Sequence, residues 1–229
     1  MSHAPPVIEE ISGFLVVRDD LVPGGTKARI LPSLMRGAAS EYVYASPAYG
    51  YAQVALAHSA AATGKRGTVF TAKRNEPHAR TWEAKRAGAK IVMVPNGYLS
   101  NVQAKARAYC LLTGAEFLPF GLETPEFMAG FAEVARSLPV TPSEVWCAAG
   151  SGTLCRSLQM AWPDAVFHAV QVGCDPQAGR AIVHKAPEKF EQDGKEPPPF
   201  PSCSNYDAKV WRFMRRHASP GALFWNVAA

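Results

Sequence analysis

The sequence predicts an α/β fold: a mostly parallel, twisted sheet with helices on both faces. Two observations carry this. Short apolar runs alternate with helix-length segments along most of the chain, the pattern of strands covered on both faces by crossover helices. In addition, the strand-like run Glu144–Ala148 passes through a glycine-rich turn into a helical stretch from Cys155 to Trp162, the start of a strand–crossover unit.

Taken in order, Phe14–Val17 and Tyr42–Ala45 read as strands, and Gln53–Thr63 as a helix. Thr68–Thr71 is a strand, His78–Ala87 a helix and Ile91–Val94 a strand, followed by helical patterns over Asn101–Thr113 and Pro125–Ser137. Ala165–Val172 is a further strand, and Ala208–His217 a terminal helix. Between them, Arg180 to Pro201 is charged and proline-rich, ending in Pro197-Pro198-Pro199-Phe200-Pro201. That composition predicts an ordered extended loop or lid, without helix or strand.

With 229 residues and 48% hydrophobic side chains, the chain can bury a sizeable core. Its opening, Met-Ser-His-Ala-Pro-Pro, carries no secretory core, and no apolar run is long enough to span a bilayer. The five cysteines form no Cys-x-x-Cys pair, so reduced thiols and a cytoplasmic location are expected. Cys147 and Cys155 read as core filler. The six histidines show no metal-ligand spacing, so no metal is assigned. The formal net charge is +5, with basic residues in short groups that include Arg212 and Arg215-Arg216. Solvated helix faces account for such groups. The other reading is sequence-independent DNA contact through a terminal helix bearing Trp211, Arg212, Phe213, Arg215 and Arg216.

Two segments carry candidate chemistry. Arg18-Asp19-Asp20-Leu21-Val22-Pro23-Gly24-Gly25-Thr26-Lys27 leads an acidic pair through a Pro-Gly-Gly turn to one lysine among small residues. A lysine desolvated there falls below its usual pKa of about 10.4, and its neutral amine becomes a nucleophile toward carbonyls. Downstream, Gly150-Ser151-Gly152-Thr153 opens onto a helix. Such a turn offers unpaired amides and the positive end of a helix dipole to an anion, which makes it a phosphate cradle. It is neither a Walker loop nor a dinucleotide fingerprint. A carbonyl-seeking lysine and a phosphate cradle together suggest an aldehyde cofactor that carries a phosphate.

In these segments the chain resembles the pyridoxal-phosphate enzymes of fold type II, the tryptophan synthase β-like family. The motifs are most similar to D-cysteine desulfhydrase and aminocyclopropane-carboxylate deaminase. The resemblance rests on residues 18–29, 46–57 and 147–173, with Ser204-Asn205-Tyr206-Asp207-Ala208-Lys209 as a fourth block. It implies that Lys27 holds pyridoxal 5'-phosphate as a Schiff base and moves the proton at Cα, and that Gly150, Ser151, Gly152 and Thr153 bind the phosphate. The second block, Ser46-Pro-Ala-Tyr49-Gly50-Tyr51-Ala52-Gln53, stands where the family has Ser-Gly-Asn-His-Gly-Gln or a relative. Aligned on Gln53, a cofactor-binding candidate, Gly50 replaces the asparagine that contacts the phenolic oxygen. Either Tyr49 or Tyr51 supplies a hydroxyl instead, as a catalytic candidate, or both rings pack beside the turn.

In the fourth block the family places a serine or threonine near the pyridine nitrogen, and here that position is Asp207. An aspartate there would keep the ring nitrogen protonated and strengthen the electron sink; alternatively Asp207 caps the helix that follows. The chain is short beside this family, which implies a reduced C-terminal portion and a site completed in a homodimer. The expected division is a smaller α/β subdomain over 40–140, with 1–39 and 141–229 anchoring the cofactor. The expected activity is a lyase or deaminase acting at Cα of an amino acid. The alternatives are decarboxylation of an amino-acid-modified thymine in phage DNA, and a non-catalytic homologue that binds the cofactor without turnover.

Overall fold

The computed structural model describes residues 5–95 and 97–229. The opening Met1–Ala4, part of the stretch read above as lacking a secretory core, lies outside the described residues, as does Asn96. In chain order the strands are β1 (Ile8–Ile11), β2 (Phe14–Arg18), β3 (Glu41–Ala45), β4 (Arg66–Ala72), β5 (Lys90–Val94), β6 (Glu116–Leu118), β7 (Glu144–Ala149), β8 (Val166–Gln171), β9 (Ile182–Lys185) and β10 (Leu223–Asn226). The helices are α1 (Gly25–Ala28), α2 (Leu31–Leu34), α3 (Ala52–Ala62), α4 (Ala79–Arg86), α5 (Leu99–Thr113), α6 (Pro125–Arg136), α7 (Thr153–Ala161) and α8 (Ala208–His217). The chain forms two compact units, one made of residues up to Gly25 together with Pro125–Ala229, the other of Thr26–Thr124.

The discontinuous unit holds a six-stranded sheet in the order β1-β2-β10-β7-β8-β9. Only β1, paired with β2, runs antiparallel; every other pairing is parallel. Strand periodicity sends alternate side chains to opposite faces. Val16, Trp146, Ala148, Val170 and Phe224 pack in one cluster with Val210, Trp211 and Met214 of α8. Trp225 meets the Phe131 ring of α6 at 5.0 Å. Helix α6 earns its place by spacing, because Phe127, Phe131, Val134 and Ala135 fall on one buried stripe. Each such large side chain contributes roughly 1.5–3 kcal/mol by leaving water.

The continuous unit holds a four-stranded, all-parallel sheet in the order β5-β4-β3-β6. Val43, Ala45 and Phe70 form a core with Val102 and Ala106 of α5. The other face takes α3, whose alanine-rich sequence is buried almost all round. The approach is close: a Cβ on Gly67 would stand 3.2 Å from the Cβ of Ala60.

Two expectations need correction. Ile182–Lys185, inside the segment expected to be an extended loop, forms edge strand β9, paired in parallel with β8. The remainder is pinned rather than lid-like. Arg212 grips Glu188, Lys209 Nζ donates to the Lys189 carbonyl at 2.8 Å, and Asn205 Nδ2 donates to the Phe190 carbonyl at 3.0 Å. Strands β1, β6 and β10, and the single helical turns α1 and α2, are also additions to the elements read from sequence.

Candidate functional site

In the discontinuous unit, the carboxyl ends of β2, β10 and β7 lie side by side, because these strands are parallel neighbours. Ligands of open parallel sheets bind at that edge. Strand β2 ends in Arg18 and runs into Asp19 and Asp20. Arg18 clasps the Asp20 carboxylate through Nε at 2.9 Å and Nη2 at 2.8 Å, and also contacts Glu9. Trp225 Nε1 donates to Asp19 at 2.9 Å, and Asn226 Nδ2 donates to Asp20 at 2.8 Å. The acidic pair read from the sequence is therefore tied to the end of β10.

Asp207 is fully buried, and neither of its carboxyl oxygens has a hydrogen-bond partner of sound geometry. Burial pushes its pKa well above the ordinary carboxylate value, and nearby Asp20 and Asp19 add to the shift. The amides of Val227 and Ala228 oppose the shift without satisfying the acid. The capping alternative is corrected: Asp207 stands at the start of α8, but its side chain makes no cap hydrogen bond. A buried acid without such a hydrogen bond suits an arriving cationic N–H.

The turn from β7 to α7 holds Gly150, Ser151, Gly152 and Thr153. The Gly150 amide donates to Tyr206 Oη at 2.9 Å, linking the turn to the neighbour of Asp207. The Ser151 and Thr153 hydroxyls lie 3.0 Å apart at the opening of α7. The first amides of a helix lack internal acceptors and favour an anion. Gly152 has φ +87°, and a Cβ there would collide with the carbonyl of Gln177, so this glycine is required by the chain that crosses it. Cys174, which is exposed, directs its thiol to the Gly150 carbonyl at 3.2 Å. Cys147 and Cys155 are both buried.

Lys27 lies in α1, half-buried, and follows Gly24, Gly25 and Thr26, the two glycines having φ +87° and +67°. Those left-handed angles let the chain turn from the acidic pair into the helical turn bearing the lysine.

In the continuous unit, Gln53 is fully buried and braces the loop before it, its Nε2 donating to the carbonyls of Ala48 and Gly50, each at 3.0 Å. A Cβ on Gly50 would sit 3.1 Å from Ser46 Oγ and 3.3 Å from the Pro47 carbonyl, so the compact turn favours glycine at this point. Tyr49 packs on the His78 ring at 4.3 Å, with the Arg74 guanidinium 5.3 Å from its centroid. The Arg80 guanidinium covers the Tyr51 ring at 4.7 Å, and the Tyr51 hydroxyl donates to Glu83 at 3.5 Å. Sequence reasoning missed Arg74 and His78, because the loop 73–78 carries no motif.

The basic helix α8 presents less charge than its sequence suggests. Trp211 and Arg212 are buried, Arg212 is paired with Glu188, and Arg216 pairs with Glu196 at 2.6 Å. Among the described residues no helix is long and apolar enough to cross a membrane, and no group of three or more His, Cys, Asp or Glu is placed to hold a metal.

No protein-family model matches the chain, and neither does any curated protein sequence. Solved structures do match. The chain is similar to an ACC deaminase homologue at 13% identity, with a TM-score of 0.80 over 98% of this chain and 89% of that one. It is similar to O-ureido-L-serine synthase at 14% identity, with a TM-score of 0.73 over 99% and 89%. It is similar to maize serine racemase at 12% identity, with a TM-score of 0.71 over 97% and 87%. At such identities the likeness is one of fold: the chain has the mostly parallel α/β architecture of fold-type-II enzymes.

Proposed function

We propose that the protein is a pyridoxal-phosphate-dependent enzyme that binds its cofactor through Lys27 and acts as a lyase or deaminase at Cα of an amino-acid substrate. The observation that carries this reading is Asp207, a fully buried carboxyl whose oxygens make no hydrogen bond of sound geometry, at the carboxyl edge of a fold-type-II sheet. Interiors seldom leave such a group unsatisfied without a functional reason.

When bound, pyridoxal phosphate supplies an aldehyde that condenses with amines and a ring that withdraws electrons from Cα. The protein's residues do the rest. Lys27 is the residue that would hold the aldehyde group, and its amine would accept and return the proton at Cα. The Gly150–Thr153 turn and the positive end of α7 hold the phosphate. Asp207 would favour the protonated form of the ring nitrogen. Gln53 keeps the 46–50 loop in shape, and Tyr49 or Tyr51 supplies the hydroxyl that the family draws from asparagine. A homodimer is the proposed assembly.

Asp207 also favours a second reading, decarboxylation, since a stronger electron sink suits a fully developed carbanion. Substrates for that reading include an amino-acid-modified thymine in DNA, although Arg212 and Arg216 of α8 are engaged within the chain. Ammonia release marks the first reading and carbon dioxide the second, each screened with and without DNA across a salt series.

The deciding experiment is the visible spectrum of the protein with added pyridoxal phosphate, before and after borohydride, for wild type and Lys27→Ala. The reading expects a band that borohydride fixes covalently in wild type and that the variant lacks. With no band in wild type, the resemblance is one of fold only and a non-catalytic role takes its place.

A further inference from the structure

We infer that the outer face of α4, with the loop before it, is a contact surface for single-stranded nucleic acid, held by its phosphates and by one stacked base. The inference extends the second reading above by naming a surface for its partner, and rests on that reading only for the part such binding plays in the reaction. Charge is divided unevenly along the chain. The continuous unit carries 13 Lys and Arg against five Asp and Glu, a formal charge of +8, so the discontinuous unit carries −3 of the chain's total of +5. A polyanion is therefore drawn to the continuous unit, which does not include α8.

Within that unit the cations are concentrated around one helix. Residues 73–90 hold six Lys and Arg and two acids. One acid, Glu83, is held by Arg80 at 2.9 Å, and the other, Glu76, stands exposed in the loop. Helix α4 buries Thr81 and Ala84 and packs beside α3. Trp82, Lys85 and Arg86 are exposed, and their spacing of three and four residues puts them on one face. Lys73 and Arg74, also exposed, precede the helix. Tyr49 meets both the Arg74 guanidinium and the ring of His78, the N-cap of α4, so this charge lies at the amino end of the helix. None of Lys73, Arg74, Lys85 and Arg86 is in an ion pair among the described residues. The helix between the two basic pairs is about 12 Å long.

Trp82 separates this face from an ordinary solvated run of charge. It is 42% exposed, whereas the other four tryptophans are at most 5% exposed. Lys85 Nζ lies 5.0 Å from its ring centroid. An exposed indole between two basic pairs can stack an unpaired base while the cations hold the flanking phosphates. Duplex DNA offers phosphates but no free base face, so the surface favours a single strand, without reading its sequence.

The test uses the full chain without cofactor and follows tryptophan fluorescence while a short oligothymidylate is added at about 50 mM salt. Since Trp82 is the exposed indole, saturable quenching reports on this face. Affinity is expected to fall with salt along a log–log slope of roughly −3, from four contacts at about −0.7 each. Lys85→Gln together with Arg86→Gln is expected to weaken binding on the order of tenfold and roughly to halve the slope. Trp82→Leu, followed by the anisotropy of a labelled strand, is expected to weaken binding about fivefold or more at every salt concentration, with the slope unchanged. Lys105→Gln with Arg107→Gln, exposed in α5 on the opposite face of the sheet, is the control and is expected to change neither quantity. Melting curves report that each variant is folded. No saturable quenching in wild type overturns the inference, as does an equal loss in the α5 control, which would reduce it to diffuse charge. Unchanged affinity in Trp82→Leu, or equally tight binding of duplex DNA, overturns the stacked base. Equally tight binding of polyglutamate overturns the assignment to nucleic acid, and tighter binding of oligouridylate overturns its link to a DNA substrate. With no cofactor present, failure here and failure of the Lys27 reading are separable.

Discussion

Arg212 holds Glu188 through two hydrogen bonds of 2.9 and 2.8 Å, with side chains only 10% and 4% exposed. This pair fastens the charged, proline-rich strap to α8. Removing one partner strands the other as a buried charge, which costs about 3–5 kcal/mol. Glu188→Gln is therefore expected to lower the stability measured by urea unfolding by that order. A loss under ~1 kcal/mol would show that the strap opens readily and that water screens the pair.

Gly152 and Gly88 both have positive φ, at +87° and +98°, but differ in surroundings. A Cβ at Gly88 meets nothing within 4 Å, whereas one at Gly152 strikes the backbone of Gln177. Gly88→Ala is expected to cost ~1–2 kcal/mol, from backbone conformation alone. Gly152→Ala is expected to exceed ~3 kcal/mol and to weaken binding of pyridoxal phosphate, because the turn must shift. Equal thermal shifts for the two variants would remove the close approach from the explanation.

Asp207 ties stability to pH in a definite direction. Its pKa is raised in the folded state by burial, then by Asp20 and Asp19. Its contribution is therefore fully present below the ordinary carboxylate range, near pH 4 (approximately), and is lost as pH rises through the raised folded value. Asp207→Asn carries no such proton and is expected to flatten this decline, unfolding at a higher temperature than wild type at neutral pH in the absence of cofactor. Parallel melting curves for the two proteins across the range would contradict a buried neutral acid.

His168 and His184 give the opposite sign. Their rings exchange a hydrogen bond of 2.9 Å, and His168 stacks on Trp146 at 4.1 Å. Burial lowers both values; Glu144 opposes this for His168, and His217 adds to it for both. The stability they supply is present above about pH 6.5, the ordinary histidine value, and is lost as pH falls through the lowered folded values. Urea midpoints are expected to drop between pH 7 and pH 5 in wild type, and less in His184→Gln. An unchanged pH slope in that variant would falsify the assignment to this pair.

The sequence by itself determined much of the fold and the order of the chemical motifs. Strands such as Glu144–Ala149 and helices such as Ala208–His217 are legible because their periodicity is local, and the glycine turns because their backbone angles are demanded locally. Strand β10 was not legible. Leu223–Asn226 is four residues long, and it is a strand because β2 and β7 flank it in parallel. Strand β9 has the same cause, pairing with β8 at an edge. For the candidate site, Lys27, the Gly150–Thr153 turn and Asp207 were named from their motifs, but only tertiary structure decided that Asp207 caps nothing and lies buried, its oxygens making no hydrogen bond of sound geometry. Packing likewise spent Arg212 on Glu188 and brought Arg74 and His78 against Tyr49. Backbone preference is written residue by residue. Burial, pairing and the fate of a charge depend on distant residues, so the chain must fold before they are set.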